Sequence, residues 1–125
     1  MQVIVTDKAP AAIGPYSQAV KAGGLLFCSG QIALDPASGE MLQGTVEEET
    51  RQVMENLRGV LEAADTGFER VVKTTIYLTD MADFPAVNQV YANFFDELKP
   101  ARATVGVAAL PRGAKVEVEA VALLP

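Results

Sequence analysis

The sequence predicts an α/β fold of the α+β kind, one mixed sheet of about six strands with two helices on one face. Three observations predict it. Apolar patterns follow the order β-β-β-α-β-α-β-β along the chain. The two β-α-β units in that order should both cross over right-handed, which places both helices on the same side of the sheet. The 125 residues are half hydrophobic, enough for one core and a single domain over residues 1–125, and no linker, low-complexity tract or repeat interrupts them.

Val3-Ile4-Val5 reads as a short first strand. The stretch from Ala9-Pro10 through Gly14-Pro15-Tyr16 reads as a loop, because proline fixes φ and glycine relaxes it. Gln18 to Ala22 and Leu25 to Gln31 read as strands joined at Gly23-Gly24, a hairpin signal. Asp35-Pro36-Ala37-Ser38-Gly39 is a further turn.

Thr45 and Glu48 stand at capping-box spacing and start the first helix. Val46, Val53, Leu57, Val60, Leu61 and Ala64 make its apolar stripe; Glu47, Glu49, Arg51, Glu55, Arg58 and Glu62 read as its solvent side, and Gly67 as its stop. Val71 to Leu78 is β-branched and strand-like. Asp80 or Asp83 caps a second helix that tolerates Pro85 in its first turn, with Phe84, Val87, Tyr91, Phe94 and Leu98 as its stripe. Two strands follow, near Ala103 to Ala109 and Lys115 to Leu123, separated by a turn at Leu110-Pro111-Arg112-Gly113. With both helices on one face, the other face has no cover, yet Val121 and Leu123 lie on it; this points to association with other copies.

Charge and composition narrow the chemistry. The net charge of −6 argues against nonspecific nucleic-acid binding, which needs clustered Lys and Arg. With no histidine, the usual proton carrier near neutral pH is missing, and acid–base work falls to carboxylates, hydroxyls, water or backbone. One cysteine and no histidine make a zinc or iron site unexpected, and no phosphate-binding glycine loop occurs. Cys28 has no partner for an intrachain disulfide, so a reducing cytoplasm is the simplest home. The apolar stretches are too short to cross a bilayer, and the N-terminal residues do not read as a signal peptide.

Two features of the C-terminal quarter stand out: Arg102 alone on strand-like sequence, and the pair Glu117 and Glu119. Alternation sets Arg102 and Thr104 on one face and Ala103, Val105 and Val107 on the other. If the apolar set meets the helices, Arg102 faces the uncovered side, where Glu117 and Glu119 also lie. A guanidinium holds a carboxylate through two hydrogen bonds. A half-buried glutamate beside a second one has a raised pKa and can accept a proton or orient water. The alternative is an exposed strand edge with a structural ion pair. Were the last two strands a hairpin, Glu117 would pair near Ala108, roughly 20 Å from Arg102. Either those strands are not neighbours or the site joins different chains.

Tyr16 sits in a rigid Gly-Pro-Tyr loop, to donate to a substrate or to cap a core. Ser29-Gly30-Gln31 ends a strand, where backbone N–H groups can meet a ligand oxygen. Asn88 follows Val87 on the second helix and can be an ordinary surface amide; Cys28 reads as a buried, inert thiol, and Lys73 as a surface lysine.

Ordered along the chain, Ala9-Pro10-Ala11-Ala12-Ile13-Gly14-Pro15-Tyr16-Ser17-Gln18, Ser29-Gly30-Gln31, Lys73-Thr74-Thr75, Asp83-Phe84 with Val87-Asn88, Pro100-Ala101-Arg102, Leu110-Pro111 and Val116-Glu117-Val118-Glu119 resemble the RidA (YjgF-type) family of reactive-intermediate deaminases. The resemblance implies a chorismate-mutase-like fold in which the last two strands are not adjacent. It implies a homotrimer with clefts between subunits and hydrolysis of 2-imino or enamino acids, such as 2-aminoacrylate or 2-iminobutanoate, to 2-keto acids and ammonia without a cofactor. By position, Arg102 looks like the carboxylate-binding arginine and Glu117 like the glutamate that holds or activates water. Tyr16 looks like a catalytic aid, and Ser29, Gly30 and Asn88 match cleft-lining positions. Thr104 stands where relatives often have cysteine, with its backbone N–H able to serve in binding; Glu119 looks secondary. The family also includes translation inhibitors, ribonucleases and regulators, so a binding protein for small carboxylates is the alternative expectation.

Overall fold

In the computed structural model, which describes all 125 residues, the strands are β1 (Gln2–Ile4), β2 (Ala19–Ala22), β3 (Leu25–Gln31), β4 (Val71–Leu78), β5 (Ala101–Gly106) and β6 (Val116–Leu123). Two helices, α1 (Val46–Ala63) and α2 (Phe84–Ala92), complete the predicted order. One six-stranded sheet runs β1-β2-β3-β6-β4-β5. Only β4 and β5 pair in parallel; β6 lies antiparallel between β3 and β4. The last two strands are therefore separated by β4, and the hairpin geometry does not arise.

Local chemistry explains the elements. Gly23 and Gly24 both take positive φ, 60° and 77°, which a tight β2–β3 turn needs. The Thr45 hydroxyl accepts from the Glu48 N–H, and the Glu48 carboxylate accepts from the Thr45 N–H, so the capping box forms in both directions. The α1 stop is not Gly67, whose backbone is extended, but Asp65 in the left-handed region at φ 59°. Asp80 caps a short 3₁₀ turn over Met81–Asp83, and α2 follows directly. Because α2 ends at Ala92, Phe95 rather than Leu98 joins the core, packing its ring against Phe68 and Tyr91; Leu98 is exposed.

α1 packs on α2, β3 and β6. Val116, Val118, Ala120 and Ala122 of β6 are all buried beneath the helices, as alternation predicts. Glu49 departs from its expected solvent position: it is buried, and its carboxylate accepts from the Lys115 N–H at 2.7 Å. The opposite face of the sheet has no cover. Phe27, Val105 and Leu123 remain 42%, 39% and 44% exposed there. No helix is long and apolar enough to cross a membrane.

Gly59 marks a close approach. A Cβ at this position would lie 2.3 Å from the Lys8 carbonyl oxygen, on the N-terminal loop that continues to Tyr16. Gly59→Ala should lose about 1–3 kcal/mol from this overpacking, more than the roughly 1 kcal/mol that alanine gains in a helix. Chemical denaturation of the variant measures the balance; stabilisation would mean that the loop yields freely.

Candidate active site

The residues expected to act form two groups on opposite faces of the sheet. The first lies on the open face at the β3–β6 junction. Between Cys28 and Gln31 the β3 register shifts by one residue against β6, a bulge at Ser29-Gly30. Glu117 lies flat on this bulge: a Cβ on Gly30 would stand 2.3 Å from a Glu117 carboxylate oxygen. Glycine is thus what allows the carboxylate to rest on the strand. Tyr16, Ser29, Gly30, Glu117 and Glu119 share a cleft of about 710 Å³ with the apolar side chains of Ile13 and Leu34.

A web of hydrogen bonds positions the loop that carries Tyr16. The buried Gln18 amide accepts from the Thr6 N–H and donates to the carbonyls of Thr6, Ala9 and Pro10. Ser29 donates through its hydroxyl to the Ser17 carbonyl and through its N–H to the Gln18 carbonyl. Both of its donors are committed within the chain, so Ser29 tethers the loop rather than donating to a ligand. Asn56 on α1 donates to the carbonyls of Ile32 and Leu34, fixing the cleft's apolar wall. Gln18 and Asn56 were not singled out from the sequence. Asn56 carried one signal, an amide on the buried stripe of a helix; Gln18 carried one other, its place at the end of the N-terminal string that resembles the family.

The electrostatics favour a proton acceptor. Burial pushes the Glu117 carboxyl above its ordinary value, and the neighbouring Glu119 charge pushes it further. Glu119 in turn accepts a hydrogen bond from the Tyr77 hydroxyl, which raises the Tyr77 pKa. Cys28 is buried, and its thiol is pushed up to about 12 by desolvation, consistent with an inert side chain. No three His, Cys, Asp or Glu side chains converge to hold a metal.

The second group contradicts the expected face. Arg102 pairs in register with Thr74, and Thr104 with Ile76; Thr74 and Ile76 are buried on the helix side. Arg102 donates to Asn88 Oδ1 at 2.7 Å and lies over the rings of Phe84 and Tyr91, 5.3 and 5.1 Å from their centroids. The Tyr91 hydroxyl is bonded to Thr74 at 2.7 Å, which fixes that ring. Arg102 and Thr104 therefore share the helix side, away from Glu117 and Glu119. The reason is the edge: β5 ends the sheet, short α2 leaves its rim open, and an arginine reaches water there while its guanidinium stacks on aromatic faces. Thr104 Oγ1 is buried without a partner in the chain. By register Arg102 and Glu117 are two strands and three residues apart, roughly 14 Å between Cα atoms. A single chain does not bring them together.

Relatives agree with this architecture. The family profile described as Endoribonuclease L-PSP matches residues 6–124. The mouse protein named 2-iminobutanoate/2-iminopropanoate deaminase is 53% identical over 122 residues, covering 98% of this chain and 90% of its own. The crystal structure of RidA from the Antarctic bacterium Psychrobacter superposes with a TM-score of 0.94 at 45% identity, over 99% of this chain and 100% of that one. The structure of E. coli TdcF with bound serine gives a TM-score of 0.94 at 40% identity, with both chains covered completely. With the fold, the profile and these identities in agreement, the chain belongs to the RidA (YjgF-type) family, whose profile bears the description Endoribonuclease L-PSP.

Proposed function

We propose that the protein hydrolyses 2-imino acids and their enamine tautomers to 2-keto acids and ammonia, at sites completed between neighbouring copies of a homotrimer. One observation carries this reading: a proton-accepting carboxylate and an aromatic-backed guanidinium sit at opposite faces of one sheet, each open at its own rim. If the uncovered face of one copy meets the β5 edge of the next, the rim that carries Arg102 comes against Glu117. The relatives named as imine deaminases support the same chemistry.

The geometry suits the step. Arg102 grips the substrate carboxylate, with Asn88 holding the guanidinium. The protonated imine carbon is already electrophilic, so the chain must only place water and manage protons. Glu117 takes a proton from water as oxygen bonds to C2. That proton passes to the nitrogen with help from Tyr16, and the again ionised Glu117 accepts the hydroxyl proton as the C–O π bond forms, the C–N bond breaks and ammonia leaves. The Thr104 backbone N–H and Gly30 contribute to binding, and no electron acceptor enters the balance. Keto-acid formation from freshly generated 2-iminobutanoate, faster with enzyme than without, tests the reading; no acceleration contradicts it.

The pH profile gives a finer test. Glu117 acts ionised, so its raised pKa sets the acid limb of kcat/KM above the ordinary carboxylate range. Glu119→Gln removes one of the two causes of that rise and should move the limb to lower pH. An unmoved limb would assign it to another group.

The serine bound by TdcF favours one other reading, a protein that binds small amino or keto acids without turning them over. Calorimetric titration with keto acids beside the imine assay separates the two.

A further inference from the structure

We propose that Arg112 makes this cleft selective for 2-imino acids bearing a second, distal carboxylate. The inference rests on reading the cleft as an imino-acid site and adds the substrate class. Arg112 is the one cationic side chain lining it, and the other charged groups there are the acids Glu117 and Glu119. Its backbone sits at φ 60° and ψ 23°, a left-handed conformation that favours glycine, between Pro111 and Gly113. Arg112 and Gly113, both at positive φ, are the central residues of a tight turn closed by the Ala114 N–H donating to the Pro111 carbonyl at 3.1 Å, and this turn holds Arg112 at the cleft. The side chain is exposed, and the chain's one ion pair joins Arg58 to Glu55, so Arg112 makes no ion pair within the chain.

Space and polarity agree. In the single chain, before a neighbouring copy covers part of it, the cleft measures about 710 Å³. With the α-carboxylate on Arg102 of the neighbouring copy and C2 at Glu117, the substituent is left to the remaining cleft. Ile13, Ile32 and Leu34 offer methylene-compatible walls, and Arg112 offers the only charge that would welcome an anion. Without Arg112, Glu117 and Glu119 would repel a second carboxylate. The reaction is unchanged: water adds to C2 as the C–N π bond breaks, then ammonia leaves, with no oxidant or reductant.

The test compares kcat/KM for the imine of glutamate, generated in place by an amino-acid oxidase, with kcat/KM for 2-iminobutanoate. Arg112→Ala keeps a Cβ at the same backbone position and so leaves the turn's preference largely unchanged. The ratio of the two constants should fall at least about tenfold in Arg112→Ala, chiefly through KM, and further in Arg112→Glu. A ratio that does not move overturns the proposal. A second arm titrates wild type and Arg112→Ala with 2-oxoglutarate and with 2-oxobutanoate. Selective weakening of 2-oxoglutarate binding supports the proposal even if no imine is hydrolysed, in which case only the catalytic reading fails. Equal binding of 2-oxoglutarate by the two proteins overturns it.

Discussion

Glu117→Gln lowers imine hydrolysis by about 100- to 10,000-fold, the range a positioned general base contributes. Glutamine keeps the shape that lies on Gly30 but cannot take a proton from water. Keto-acid binding, set mainly by Arg102, changes far less, so the loss falls in kcat. The same substitution affects stability in the opposite direction. The Glu117 carboxyl has a raised pKa in the folded chain, so the folded state binds more protons than the unfolded state between the two values. Stability from this group is therefore greatest at low pH and is lost as pH rises through that window. Glutamine removes the loss, and melting curves at neutral pH should show a variant more stable than wild type, with the difference vanishing in acid. A variant that is inactive and less stable at neutral pH would indicate a structural carboxylate.

Arg102→Ala weakens keto-acid binding by roughly 10- to 100-fold, as expected for losing charge-assisted hydrogen bonds of about 1.5–3 kcal/mol. Arg102→Lys recovers only part of it, because an ammonium lacks the planar fork and stacks less well on Phe84 and Tyr91. Folding should be little affected, since Arg102 is exposed and its one hydrogen bond runs to Asn88. Binding measured by calorimetry and melting temperature measured in parallel separate an anchor from a structural role. Wild-type binding in Arg102→Ala removes the anchor.

Much of the fold was legible because its signals are local. The reciprocal Thr45–Glu48 cap, the Gly23-Gly24 turn and the β4 boundaries all follow from a few neighbouring residues. β6 was legible for a second reason: its inward residues are uniformly apolar and fully covered. β5 was misread because alternation identifies two faces but not which one a helix covers. On an edge strand of small residues, the apolar set carries little weight, and the Arg102 direction is decided by Phe84, Asn88 and Tyr91 on α2. Glu49 looked like a solvent residue because its partner, the Lys115 N–H, lies far along the chain. The meeting of Tyr16, Gly30 and Glu117 likewise depends on β3 pairing with β6, which no local pattern encodes. Family resemblance named the residues; the sheet order shows why they fall into two halves.

Mixing the two impaired chains tests the central claim most directly. Arg102→Ala retains a sound Glu117 half, and Glu117→Gln retains a sound Arg102 half. If sites form between copies, unfolding and refolding the two variants together at equal amounts should restore about a quarter of the wild-type imine hydrolysis, because random assembly pairs sound halves at that frequency. Assayed at substrate concentrations below KM, each variant refolded alone should stay well under a quarter of the wild-type rate. No recovery in assembled mixtures would place both residues in one chain's site and contradict the account.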